Sequence, residues 1–302
     1  MNQEQEPNFS QLLGHMQGVL APTLLSSVCV TLIWALFGFS WLDLTPVFIG
    51  FAGVPLLGMG LMNAWSARRE YERDSKAWAE VMANLGVLGV RLGASILVSG
   101  RAKKPKEHRR RAVQRVAALG HVLRGELRGV HALDDMRNLL TEEELASVRS
   151  SADVSAALIE NGFGDLKEAL AAGFVTPEEG QVLSAHLDKV TVSWLSCRTA
   201  ASTPTPGLAR FTVPGLSHLF AVVMPFGLVT TTGWLTPLVV PFLAVVLLLP
   251  DVIASILSRP FGANVDGLPL YRDCRRLERQ LLASLGDTDL PREIESSGAV
   301  IR

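Results

Sequence analysis

The chain has 302 residues, of which 48% are hydrophobic and 19% charged, and its formal net charge is −1. The charge density is below that of an ordinary water-soluble domain, and the balance as a whole singles out neither an acidic nor a basic partner. Three widely spaced cysteines, Cys29, Cys197 and Cys274, exclude a disulfide framework and match no zinc-ligand spacing, so they read as reduced thiols.

The N-terminal stretch contains Glu4 and Glu6 but no Lys or Arg before the first apolar run, so no secretory signal is expected there. From Leu20 to Trp65 the only charged residue is Asp43. That length predicts two membrane spans, near 20–40 and 46–65, joined by a turn carrying Trp41 at an interfacial position. The second span is rich in small residues (Gly50, Ala52, Gly53, Gly58, Gly60 and Ala64), which let helix backbones approach or widen a lumen.

At Arg68 the character changes to Arg-Arg-Glu-Tyr-Glu-Arg-Asp-Ser-Lys, a charged helix continuing from the second span. An amphipathic run from Trp78 to Val98 follows. Next comes a basic cluster of Arg101, Lys103, Lys104, Lys106, Arg109, Arg110, Arg111 and Arg115. The cluster has no interleaved aromatics and lies between spans, so nucleic acid is not an expected partner. It reads as a solvated, lipid-facing or anion-attracting surface on the cytoplasmic side. Residues 112–200 carry apolar positions at helical spacing. Thr141 with Glu144 has the form of a capping box, and Thr176-Pro177-Glu178-Glu179 that of a second helix start.

Phe211 to Pro250 is forty residues without Asp, Glu, Lys or Arg. The polar run Thr230 to Gly233 divides it into two lengths, each able to span, which predicts a second membrane hairpin. A charged helix is expected from about Tyr271 to Leu285, then a loose tail from Gly286. The loops at 41–45 and 230–233 lack Lys and Arg, whereas the segment after span two carries both and the segment after span four is rich in Arg. The positive-inside rule then puts the middle region and both termini in the cytoplasm. The chain is thus read as an all-α, multi-pass integral membrane protein of the bacterial inner membrane, with four transmembrane helices and a helical cytosolic domain.

No HExxH pair, Cys/His cluster, GxSxG, Walker A or GxGxxG fingerprint is present, so no catalysis, cofactor or metal is expected. His218 is the only ionisable group in the forty-residue stretch, and with Asn63 it is a candidate cavity-facing polar side chain. Asp251 is the other candidate, with a solvated carboxylate as the alternative because it lies near the cytosolic end of that stretch.

The C-terminal third resembles the bestrophin family of ion channels. The blocks that carry the resemblance are Thr203-Pro204-Thr205-Pro206, Pro225-Phe226-Gly227, Gly233-Trp234-Leu235-Thr236-Pro237, Pro260-Phe261-Gly262 with Asp266, and Leu268-Pro269-Leu270. They keep order, spacing and membrane position over some seventy residues. The N-terminal half fits more loosely, through Pro46, Asn63, Arg68, Arg73, Lys76 and Trp78, with about two residues inserted.

What the resemblance implies is a homopentamer of four-span subunits around one axial pore, in contact with membrane lipids and conducting small inorganic ions. Residues 1–19 form a cytosolic N-terminal segment and 20–65 the first hairpin, with the pore-lining second span. Residues 66–210 form the cytosolic domain, 211–257 the second hairpin and 258–302 a cytosolic C-terminal segment. Carrying the hydrophobic neck over by position puts it at Thr45, Ile49 and Gly53, or, in a shifted register, turns Phe48 or Phe51 inward. The cytosolic aperture falls on Thr205. The segment Ala263 to Gly267 has one carboxylate where animal members have a run of acids, so no calcium clasp is expected. Arg198 and Ser255 stand where the family often has Glu. Chloride-like anions are the expected permeant ions. The alternatives are a cation (sodium)-selective channel of the same fold, a membrane-anchored signalling or scaffold protein, and a secondary transporter, against which the two hairpins' lack of internal similarity counts.

Overall fold

The structure is a computed structural model, and it describes residues 9–38, 46–95, 103–130, 133–151, 153–202, 207–258, 260–262 and 268–294. Among the described residues every regular element is helical. In chain order they are α1 (Phe9–Phe37), α2 (Pro46–Ser95), α3 (Lys103–Arg128), α4 (Leu133–Met136), α5 (Glu142–Ser150), α6 (Val154–Ala171), α7 (Pro177–Ser202), α8 (Gly207–Thr232), a 3-10 turn (Gly233–Leu235), α9 (Thr236–Leu257) and α10 (Leu270–Ser284). One bound differs from the sequence expectation: helix α1 begins at Phe9, well before the apolar run. Helix α2 passes from its apolar part to the charged segment without a break over 50 residues, as the sequence predicts. The continuity of α2 follows from its composition: Ala, Arg, Leu and Glu make up half of the residues beyond Asn63, and no proline follows Pro55.

The chain divides into two compact units. The first comprises residues 1–72 and 204–260, the second 73–203 and 261–302. In the first unit α1, α8 and α9 pack on one another. The face that α1 turns inward is Thr23, Ser27 and Thr31, all 2% exposed or less and spaced four apart. Each hydroxyl donates to a carbonyl of its own helix, Thr23 to Leu20 at 2.9 Å, Ser27 to Leu24 at 2.9 Å and Thr31 to Ser27 at 2.7 Å. Ser26 reaches across, its Oγ donating to the Val222 carbonyl of α8 at 2.8 Å. The outward face is Leu25, Leu32, Leu36 and Phe37. Small polar groups inside and large apolar groups outside is the pattern of a helix bundle solvated by lipid. Leu20–Phe37, Ile49–Ser95 and Thr212–Leu257 are each long and apolar enough to cross a membrane, by length and composition.

The break inside Thr212–Leu257 is built by Gly233, whose φ of +54° is open to glycine but strained for other residues. Thr232 donates to the Leu228 carbonyl at 2.8 Å and meets Thr236 Oγ1 at 2.7 Å, and Thr236 bonds the Gly233 carbonyl at 2.6 Å. The turn thereby satisfies its own hydroxyls, and Trp234 stands exposed at its tip.

The second unit has a conventional core. Trp78, Val81, Leu85, Val113, Leu123, Leu183, Trp194 and Leu281 are all buried, and α3 packs against α6 and α10. Thr141 caps α5 in a reciprocal capping box with Glu144, as the sequence predicts. Thr176 Oγ1 accepts from the Glu179 N–H at the start of α7. Both indole N–H groups in the core are satisfied, Trp78 by Asp273 and Trp194 by Ser155, each at 3.1 Å. Cys29, Cys197 and Cys274 are free, and burial pushes the Cys197 thiol up to about 12.

Candidate functional site

Helix α2 is two-faced in the first unit. One face carries Ile49, Leu56 and Leu57, packed in a cluster with Phe220, Met224 and Leu228 of α8 and Val240 and Leu247 of α9. Gly53 lies on that face too, and a Cβ there would sit 3.2 Å from the Phe220 ring, tighter than a side chain tolerates without a shift. The opposite face carries Val47, Phe51, Val54, Gly58, Met62 and Trp65 at spacings of three and four, all exposed within the subunit. The side chain of Phe48 lies outside the described residues, as do Thr45, Pro204, Thr205, Pro206 and Asp266.

The remaining motif residues serve the scaffold. Pro225 and Gly227 are buried in α8 with Phe226 half-buried beside them, and Pro237 opens α9. Pro260 and Phe261 are buried, and Gly262 is half-buried.

Two turns along from the α2–α8–α9 cluster the packing becomes polar. Seven residues beyond Leu56 comes Asn63; seven before Met224 comes Ser217, with His218 next to it; four beyond Leu247 comes Asp251. Asn63 and Ser217 face the Asp251 carboxylate, and His218 is near enough for its charge to act on it. Asp251 is 5% exposed, which sets aside the solvated alternative: its carboxylate is turned toward Gly60, whose absent Cβ would lie 3.5 Å from Oδ1. His218 Nδ1 bonds the Pro214 carbonyl of its own helix at 2.5 Å; a carbonyl only accepts, so that nitrogen carries the hydrogen. Asn63 and His218 were visible as polar residues in apolar sequence. The signal that finds Ser217 and Asp251 is their spacing, seven and four residues, from the buried residues Met224 and Leu247 of the shared apolar layer.

The basic cluster also differs from its expectation. Arg110 pairs with Asp287 through two bonds of 3.0 and 2.8 Å, Arg109 donates to the Ser284 carbonyl at 3.4 Å, and Arg115 joins Glu144 and Asp165. These guanidiniums tie α3 to α5, α6 and the segment after α10, leaving Lys106 and Arg111 as exposed cations among the described part of the cluster. Arg198 pairs with Asp153 at 2.5 Å. That guanidinium, helped by the Ala156 N–H at the start of α6, lowers the Asp153 carboxyl to about 2.

A helical unit with small polar groups inside, apolar groups outside and one long two-faced helix is that of a membrane protein. Residues 1–283 match the family model described as bacterial/fungal bestrophin protein, and the chain belongs to that family. It is 25% identical over 292 residues to the voltage-dependent anion channel-forming protein mll4386 of Mesorhizobium japonicum, covering 93% of this chain and 91% of that one. It is 25% identical over 174 residues to the voltage-dependent anion channel-forming protein YneE of Salmonella typhi, a match spanning 58% of this chain and 57% of that protein. A crystal structure of a point variant of a bacterial bestrophin homologue from Klebsiella pneumoniae superposes with a TM-score of 0.82 at 23% identity, covering 90% of this chain and 99% of that chain.

Proposed function

We propose that the chain is one subunit of a bestrophin-type anion channel, a calcium-independent homopentamer in the bacterial inner membrane. Helix α1, the apolar part of α2, α8 and α9 form the four spans, with both termini and the second unit in the cytoplasm. The observation that carries the reading is the two-faced α2. It spends the Ile49–Gly53–Leu56 face on its own subunit and leaves a continuous apolar face, Val47 to Trp65, for other subunits and the pore. Family membership and the relatives named as anion channel-forming proteins support chloride-like anions over the cation-selective and scaffold alternatives.

The hydrophobic neck belongs, in this reading, to the exposed face that includes Phe51, which favours the shifted register over Thr45, Ile49 and Gly53. A ring of apolar side chains between wet vestibules gates by dewetting. Thr205 at the aperture and the calcium-free segment around Asp266 complete the proposal. Two measurements test it. The native mass in detergent is expected to be five times the 32.6 kDa chain, and a monomer contradicts it. Chloride efflux from reconstituted vesicles is expected to be unchanged by a calcium chelator and raised by Phe51→Ala; efflux that a chelator abolishes, or that ignores Phe51, contradicts the corresponding part.

A further inference from the structure

Three buried oxygens in the membrane unit have no hydrogen-bond partner: both carboxylate oxygens of Asp251 and the hydroxyl of Ser217. Ser217 is the exception to a rule this unit otherwise follows. Thr23, Ser27, Thr31 and Thr236, the other buried hydroxyls there, all return their hydrogen to a carbonyl of their own chain segment. Ser217, 0% exposed, does not, and it faces Asp251 from α8 while Asn63 faces it from α2. Helix α2 presents Gly60 at this level, so no side chain fills the space against Oδ1.

An ionised carboxylate buried among apolar helices, faced only by a neutral hydroxyl and amide beyond hydrogen-bond distance, is strongly unfavourable unless a positive charge accompanies it. No Lys or Arg comes within ion-pair distance of Asp251 among the described residues, and the nearby His218 supplies a positive charge only when its imidazole is protonated. One carboxylate with neutral amide and hydroxyl oxygens balances one positive charge. It is too weakly charged for calcium, which takes six to eight oxygens and usually several acids.

We infer that Asp251, Ser217 and Asn63 form an intramembrane binding site for one hard monovalent cation of the sodium class, held between α2, α8 and α9 within a single subunit. The Asp251 carboxylate supplies the charge, and the Ser217 hydroxyl and Asn63 amide oxygen supply neutral ligands. The ion would tie α2 to the hairpin two turns from the apolar cluster around Leu56. The site needs neither a pore nor a second subunit, so it stands or falls separately from the channel assignment.

The test is the thermal unfolding of the full-length protein in detergent at pH 7.5 and constant ionic strength, titrated with sodium chloride against choline chloride. Binding to the folded state alone predicts a saturable rise in Tm of about 2–4 °C in sodium. Asp251→Asn, which keeps the shape and removes the charge, is expected to fold and to lose the sodium-dependent rise. Ser217→Ala is expected to retain a rise that needs several-fold more sodium, which keeps the test intact if Asp251→Asn fails to fold. Equal Tm values in sodium and choline overturn the site, as does a sodium-dependent rise that survives both substitutions unchanged. A wild-type Tm that ignores sodium but rises on acidification, with that rise absent in Asp251→Asn, identifies a proton site and overturns the cation assignment.

Discussion

In the unit of α1, α8 and α9 the small residues Thr23, Ser27, Thr31, Ala221 and Ala244 are pressed between helices beside Met224, Val240 and Leu247, while Leu25, Leu36, Trp234, Leu238 and Phe242 stand outside. In the unit of α3, α6, α7 and α10 the outside differs: Trp78, Val81, Leu85, Trp194 and Leu281 are inside, and arginines and glutamates clothe the surface. The difference shows which solvent each unit is built for. Where water surrounds the protein, burying large apolar side chains drives folding. Where lipid does, apolar burial gains nothing, and close backbone approach through small residues with internally satisfied hydroxyls takes its place.

The comparison breaks most sharply at the two kinds of leucine. Leu85 is fully buried, and Leu85→Ala is expected to destabilise the second unit by about 2–5 kcal/mol, read by thermal unfolding in detergent. Leu25 is 68% exposed, so in water Leu25→Arg would be nearly neutral. Facing lipid near the middle of a span it is expected to cost about 2.5–3.5 kcal/mol, seen as reduced insertion and yield. A neutral Leu25→Arg would mean that α1 does not face lipid there.

Smaller effects sharpen the description of the second unit. Thr141→Ala removes one half of the capping box on α5 and is expected to cost about 1 kcal/mol, measured by chemical denaturation. The Asp153–Arg198 pair gives a pH signature. Because the folded carboxyl titrates at about 2 rather than at the 3.8 of a free aspartate, the stabilisation is present above pH 4 and is lost as pH falls toward 2. Arg198→Ala should flatten the acid end of the stability profile in that window; an unchanged profile would show that the pair is not formed in solution.

Much of this was legible in the chain because it is local. Two uncharged stretches, a glycine between them at position 233, and Thr141 with Glu144 each declare themselves within a few residues. The partners of the basic cluster did not, because Arg110 finds Asp287 across 177 residues and a charge count cannot show that a cation is already paired. The polar layer was half legible. Asn63 and His218 stood out against apolar neighbours, but Asp251 near a helix end read equally as a solvated acid until α2 and α8 were laid against α9. The pore register was the least legible, because alternate faces of α2 carry similar apolar residues, and only the packing of Ile49 and Gly53 on the hairpin separates the face in use from the face left over.

The central claim is a pore that passes anions. The direct measurement is the reversal potential of the purified protein in a planar bilayer under a sodium chloride gradient. A potential near the chloride Nernst value is predicted; one near the sodium value would contradict the anion channel and leave a cation channel of the same fold.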